Sequence, residues 1–179
     1  MTMKDYRTIV VGTDGSSLGG PTVGRAAWLA KHDDADLVIV CAYSQLSRRD
    51  EAKNVATLGG DSRIGQVLGR DAAGLALAEA MKMASAEGAT VTAALLIDGE
   101  PAQALITTAT DQNADLIVLG SLHDRTLADR LLGSTSQDVI KRAQCDVLIV
   151  RPEINAGEIN AGELPVPEVA ASGAGENSL

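Results

Sequence analysis

Aromatic residues are nearly absent from this 179-residue sequence, which contains no phenylalanine, one tryptophan and two tyrosines. Proteins that bind single-stranded nucleic acid stack the bases on several rings, and three rings are too few for such a surface. Basic residues are also in the minority, with 15 lysines and arginines against 24 acidic residues and a net charge of −9. Because a nucleic-acid backbone or an anionic membrane requires a basic surface, composition excludes both as expected partners.

Cysteine and histidine are equally scarce, with two residues of each. Cys41 and Cys145 both adjoin apolar runs, which favours two buried, reduced thiols over a disulfide. His32 and His123 belong to no cluster with ligand spacing, so no metal site is expected. No apolar run reaches the roughly 18 residues of a membrane-spanning helix, and the first residues do not resemble a secretory signal. These features predict a cytoplasmic protein.

The composition changes after Arg151. Residues 152–179 contain five glutamates, no lysine or arginine, and a tandem INAGE repeat. Such a segment buries too little apolar surface to offset its chain entropy, which predicts a disordered acidic tail. A regulatory arm or interaction tail is the alternative. We therefore expect one domain over residues 1–151, and the net charge of −9 divides into −5 for the tail and −4 for the domain.

Short apolar, β-branched runs alternate with helical periodicity through the domain. The runs predict five buried strands, over residues 8–12, 36–43, 90–97, 115–120 and 146–150. Helices are predicted over residues 21–31, 61–87 and 101–111 and from Gly133 onward, where Ser134-x-x-Gln137 indicates a capping box. The polar stretch over residues 44–60 is expected to be a loop. This alternation predicts an α/β fold, an open doubly wound five-stranded parallel sheet with helices on both faces.

Ligands of such a sheet bind beyond the carboxyl ends of its strands. The first strand ends in Gly12-Thr13-Asp14-Gly15-Ser16, and the fourth ends at Gly120. Gly133-Ser134-Thr135 opens a helix, whose free amides and dipole favour an anion. The phosphate-binding patterns GxxxxGK[ST] and GxGxxG are both absent.

The spacing Gly120-x2-His123-x9-Gly133-Ser134 resembles the nucleotide-binding loop G-x2-G-x9-G-[S/T] of the universal stress protein family. The opening IVVGTDGS, the Gly99-Glu100-Pro101 turn, the LLGS before the last helix and the terminal DVLIV strand are similar to that family too, over about residues 6–152. The resemblance implies a fold like that of the adenine-nucleotide α-hydrolases. It also implies a homodimer that pairs through residues 147–150 and holds ATP or another adenine nucleotide, cyclic AMP included, with or without Mg²⁺.

The resemblance also implies roles for individual residues. Asp14, with Thr13 beside it, would contact the ribose or the adenine, and the backbone at Ala42 would meet the adenine edge. Gly120 would flank the ribose and the triphosphate, and the phosphates would be held by Gly133, Ser134 and Thr135. Structural alternatives stay open for two of these residues, because Asp14 also fits an Asx turn or a helix cap and Ser134 also fits a cap.

One position departs from the family pattern, since His123 replaces the second glycine of the loop. Its ring would face solvent, fill the phosphate channel, or donate a hydrogen bond to a phosphate when protonated. Arg125 in the same loop would reach the phosphates or be solvated and paired with an aspartate.

Three functions compete on this sequence: a nucleotide-binding protein of stress response or signalling, a dimeric interaction module without nucleotide, and an enzyme. No nucleophile, base and orienting group stand in a catalytic pattern, so no catalytic residue is predicted and weak ATP hydrolysis is the most that we expect.

Overall fold

The computed structural model describes residues 5–16, 19–45, 67–121 and 133–151. Its strands are β1 (Thr8–Gly12), β2 (Asp36–Ser44), β3 (Val67–Leu68), β4 (Thr90–Asp98), β5 (Leu116–Gly120) and β6 (Asp146–Val150). Its helices are α1 (Gly19–Asp33), α2 (Arg70–Glu87), α3 (Pro101–Asp111) and α4 (Ser134–Arg142). The predicted acidic tail and most of the predicted loop over residues 44–60 lie outside the described residues.

All strand pairs in the described chain are parallel, and the five main strands lie in the order β4-β2-β1-β5-β6. The predicted α/β fold with a five-stranded parallel sheet is therefore confirmed. The two-residue strand β3 adds a short sixth member. It pairs with Tyr43 and Ser44 of β2, beyond the last pair that β1 makes with β2, which joins Gly12 to Val40.

The prediction of one helix over residues 61–87 was wrong at its beginning. Val67 and Leu68 form β3, and the helix starts only at Arg70. The two segments are separated by Gly69, which has φ of 90° and donates its backbone N–H to the carbonyl of Ser44 at 2.9 Å. Apolar side chains on both sides of Gly69 continue a helical spacing, so periodicity alone did not show the break.

The helices cover both faces of the sheet. Alternate residues of β1 point to opposite sides: Ile9 and Val11 pack with α1 and α2, whereas Val10 packs with α3 and α4. The helix surfaces against the sheet are rich in alanine, including Ala26, Ala30 and Ala80 on the first face and Ala102 and Ala109 on the second. Small side chains let the helices approach the strands closely, which compensates for the scarcity of aromatic residues in the core, where Tyr43 is buried.

Strand β1 lies at the point where the order of the strands reverses. The chain moves from β1 to β2 on one side, and β5 pairs with β1 on the other. The connections that leave β1 and β5 therefore diverge onto opposite faces, which opens a crevice beyond the carboxyl ends of these two strands.

Substitution of two glycines of α2 and its C-terminus by alanine should change the free energy of unfolding in opposite directions. Gly88 ends the helix with φ of 82°, whereas a Cβ on the helical Gly74 would meet nothing within 4 Å. We expect Gly88→Ala to lower the free energy of unfolding by about 1 kcal/mol, because the left-handed conformation opposes a side chain. Gly74→Ala should raise it by about 0.5–1 kcal/mol, because alanine favours a helix interior. Urea denaturation of both variants checks this pair, and a change of the same sign in both would contradict it.

Candidate functional site

A cavity of about 830 Å³, including the space at its open mouth, lies at the carboxyl edge of the sheet. Of the nine residues predicted for the site, seven line this one cavity: Thr13, Asp14, Ala42, Gly120, Gly133, Ser134 and Thr135. The other two, His123 and Arg125, lie outside the described residues.

The turn after β1 forms one wall of the cavity. Backbone N–H of Thr13 donates to the carbonyl of Val40 at 2.9 Å, which extends the contact of β1 with β2 past the last strand residue. Asp14 Oδ1 accepts a hydrogen bond from the backbone N–H of Ser16 at 2.9 Å, so Asp14 does form the Asx turn that remained open in the sequence. Among the described residues, none forms a hydrogen bond with Asp14 Oδ2. The half-buried carboxylate thus holds the turn with one oxygen and leaves the other available to a ligand.

A second wall is apolar and comes from β2, β5 and α3. It is formed by the side chains of Val40, Ala42, Leu105 and Leu119. Ala42 lies between two pairings on the same edge of β2, after the pair of Gly12 with Val40 and before the pair of Tyr43 with Val67. In the described register no residue stands opposite Ala42 on this edge. A flat heterocycle fits such a wall, with its ring against the side chains and its edge toward the strand backbone.

The third wall is the first turn of α4. Gly133 is the N-cap and no side chain caps the helix, so the predicted capping box was wrong: Ser134 is the first helical residue, one position too late to cap. The first intrahelical hydrogen bond runs from Gln137 N–H to the carbonyl of Gly133 at 3.0 Å. The N–H groups of residues 134–136 precede it and have no acceptor within the helix.

The N-terminus of α4 is the helix terminus that offers uncapped amides to this cavity. The first turns of α1 and α3 also reach it, through Gly19, Thr22 and Pro101. At the start of α3, however, the Glu100 carboxylate already accepts hydrogen bonds from the N–H groups of Ala102 and Gln103. No lysine or arginine stands among the described lining residues, and Asp14 is the charged group there. The partial positive charges at helix N-termini attract anions, so the site can accept a phosphate although the chain is acidic overall.

Nine residues that line the cavity were not predicted from the sequence. They are Gly12, Ser16, Gly19, Thr22, Val40, Pro101, Leu105, Leu119 and Ser136. Two carried a usable signal: Val40 shares a strand face with Ala42 at a spacing of two, and Ser136 follows the predicted phosphate-binding residues on the first helical turn. Leu105 and Leu119 carried none, because only the strand order brings α3 and the end of β5 to the same cavity.

Burial keeps the thiol next to this site in its protonated form at neutral pH. Burial raises the pKa of Cys41 from its ordinary 9.0 to about 12, and the charge of Asp14 adds to the rise. Burial also raises the pKa of Cys145, with Asp146 contributing. Both side chains are free thiols in the structure. The described residues contain no group of three or more histidine, cysteine, aspartate or glutamate side chains that would hold a metal ion, nor a helix with the length and hydropathy to cross a membrane.

The raised pKa of Cys41 predicts a loss of stability at alkaline pH. The thiol ionises at about pH 9 in the unfolded chain but near 12 in the fold, so its contribution is complete below pH 9 and is lost as the pH rises toward 12. Between pH 8 and 10 the wild type should lose about 1.4 kcal/mol more than Cys41→Ala. Urea denaturation of both proteins at the two pH values measures this difference, and identical losses would contradict the assignment.

Comparison with known proteins identifies relatives along almost the whole described chain. A model described as the universal stress protein family matches residues 5–151. Universal stress protein Rv1636 of Mycobacterium tuberculosis is 39% identical over 148 residues, covering 83% of this chain and 98% of that protein. Universal stress protein MJ0531 of Methanocaldococcus jannaschii is 31% identical over 146 residues, covering 82% of each.

Solved structures agree with this fold. A universal stress protein in complex with cAMP superposes with a TM-score of 0.61 at 34% identity, over 83% of this chain and 98% of that one. The universal stress protein from Archaeoglobus fulgidus has a TM-score of 0.61 at 22% identity, over 80% of this chain and 98% of its own, and shows likeness of fold alone.

Proposed function

The chain belongs to the universal stress protein family, and we propose that it is an adenine-nucleotide-binding member that acts in stress response or signalling. The observation that carries the proposal is the cavity itself. It brings the turn at Asp14, the apolar edge of β2 at Ala42, Gly120 and the uncapped N-terminus of α4 around one cavity. The relative in complex with cAMP, at 34% identity, supports the same ligand class.

The three walls suit the three parts of a nucleotide. The adenine would lie against Val40 and Ala42, where the wall is apolar. The free oxygen of the Asp14 carboxylate would accept a hydrogen bond from a ribose hydroxyl. The phosphate oxygens would accept hydrogen bonds from the N–H groups of Ser134 and Thr135 at the start of α4. The hydroxyls of these two residues are further donors. ATP, AMP and cyclic AMP share these features, and Mg²⁺ would enter with the phosphates.

Two substitutions at Asp14 separate its structural role from ligand binding. Asp14→Asn keeps an oxygen for the Ser16 N–H but removes the charge, so the melting temperature should stay within about 2 °C while nucleotide affinity falls about three- to tenfold. Asp14→Ala removes both, so stability should also fall by about 1 kcal/mol.

Calorimetry with ATP, AMP and cyclic AMP measures the affinities, and thermal unfolding measures the stability. Equal affinity of the wild type and Asp14→Asn would contradict the role of the carboxylate. Absence of binding by the wild type to all three nucleotides would favour the alternative function, a dimeric interaction module of the same fold.

We also propose that two copies of the chain pair through β6. In the described chain this strand pairs only with β5, and its apolar residues, Val147, Leu148, Ile149 and Val150, are all half-buried. The backbone groups of Asp146 and Val150 point toward β5. Asp146 N–H donates to the carbonyl of Asp115, and the carbonyl of Val150 accepts from Ser121 N–H. Because backbone groups alternate in direction along a strand, Val147 and Ile149 direct theirs to the open edge, where a second strand would bond.

Proline at this edge tests the dimer. Ile149→Pro removes an outward N–H without breaking the ladder to β5, so we expect a dimer for the wild type and a folded monomer for the variant. Light scattering gives the mass, and circular dichroism reports the fold. Leu148→Pro is the matched control, because it removes an N–H that faces β5 and should lower stability. A monomeric wild type, or a dimer that survives Ile149→Pro, would contradict pairing through β6.

A further inference from the structure

Ser16 carries a polar atom that the fold leaves unsatisfied. Its Oγ is buried and has no hydrogen-bond partner. Among the described residues, no other buried side-chain nitrogen or oxygen atom lacks a partner. Buried hydroxyls without partners are uncommon, because removal from water without a replacement bond costs free energy. Such an atom at a cavity wall indicates a partner that arrives from the cavity.

The backbone of Ser16 is held by hydrogen bonds on both sides. Ser16 N–H donates to Asp14 Oδ1 at 2.9 Å, and the Ser16 carbonyl accepts from Gly19 N–H at 2.9 Å. Cβ is therefore held beside the cavity by the Asx turn before it and by the first residue of α1 after it. Rotation about the Cα–Cβ bond is the movement that would turn the hydroxyl toward a ligand, so little of the chain has to be ordered when the ligand binds.

Two other polar side-chain atoms of this turn already have partners within it. Thr13 Oγ1 accepts from the backbone N–H of Gly15 at 3.4 Å, and one oxygen of Asp14 accepts from Ser16. Ser16 lines the same cavity as these two residues and as Val40 and Ala42 of the apolar wall. A ligand with its base on that wall would present its sugar and phosphate oxygens to this side.

We propose that the Ser16 hydroxyl is a ligand-binding group, which forms a hydrogen bond with an oxygen of the sugar–phosphate part of the bound nucleotide. The inference rests on the proposed function and assigns a further contact to the same site. Ser16 would then act together with the free oxygen of Asp14, one residue of the turn supplying a hydroxyl and the other a carboxylate.

Ser16→Ala tests this contact. The substitution removes an unsatisfied polar atom from the free protein, so its melting temperature should stay the same or rise. It also removes a bond from the complex, so affinity should fall about five- to tenfold for the adenine nucleotide that the wild type binds most tightly. Calorimetry and thermal unfolding of the ligand-free protein give the two quantities. A role in the fold alone would lower the melting temperature and leave the affinity unchanged.

Ser85→Ala is the matched control, because Ser85 is an exposed serine on α2 and should affect neither quantity. Equal affinities of the wild type and Ser16→Ala would overturn the inference while leaving the proposed function intact. So would a fall in the melting temperature of the ligand-free Ser16→Ala protein, since it would show that the hydroxyl already has a partner in the fold. A wild type that binds no adenine nucleotide would instead refute the proposed function itself.

Discussion

The placement of β1 between β2 and β5 is the constraint on which the rest of the structure depends. Parallel strands require crossover connections. Right-handed crossovers that run from β1 toward β4 put α1 and α2 on one face, and those that run from β4 to β5 and on to β6 put α3 and α4 on the other. In the described chain the two sets of connections part beside β1, and the carboxyl edge of the sheet opens there. The turn at Asp14, the end of β5 at Gly120 and the first turn of α4 meet because each directly adjoins that opening.

The same geometry accounts for how an acidic protein could hold the anion that we propose. In a parallel α/β fold every helix that follows a strand begins at the carboxyl edge, so the positive ends of the helices collect where the crevice is. Here α1, α3 and α4 all contribute lining residues, whereas no lysine or arginine does so among the described ones. Helix dipoles act over one turn, and the net charge of −9 is spread over the whole chain. A phosphate at the uncapped amides of α4 would therefore be affected more by these amides than by the overall charge of the chain.

The sequence allowed most of the fold to be predicted because strands and helices here depend on local patterns. Strands β1 and β6 were predicted with their observed bounds, and Pro101 marked the beginning of α3. The errors arose where backbone geometry outweighed side-chain pattern, at the strand formed by Val67 and Leu68 and at the uncapped Gly133. In the cavity, residues next to glycine-rich strand ends were identifiable. Leu105 was not, because its position depends on which strands are neighbours, and that order has no local signature.

The turn between β1 and α1 divides its polar groups between folding and binding. One oxygen of Asp14 and the backbone of Ser16 are used to hold the turn, which leaves the second carboxylate oxygen and the Ser16 hydroxyl without a described partner at residues that line the cavity. A hydrogen-bond partner for this hydroxyl within the fold would stabilise the free protein. A ligand would then gain no additional hydrogen bond from Ser16. Proteins tolerate such unsatisfied groups at sites of function because selection acts on stability only down to a threshold. The small energetic defect at Ser16 is therefore more informative about binding than the many bonds around it that are already formed.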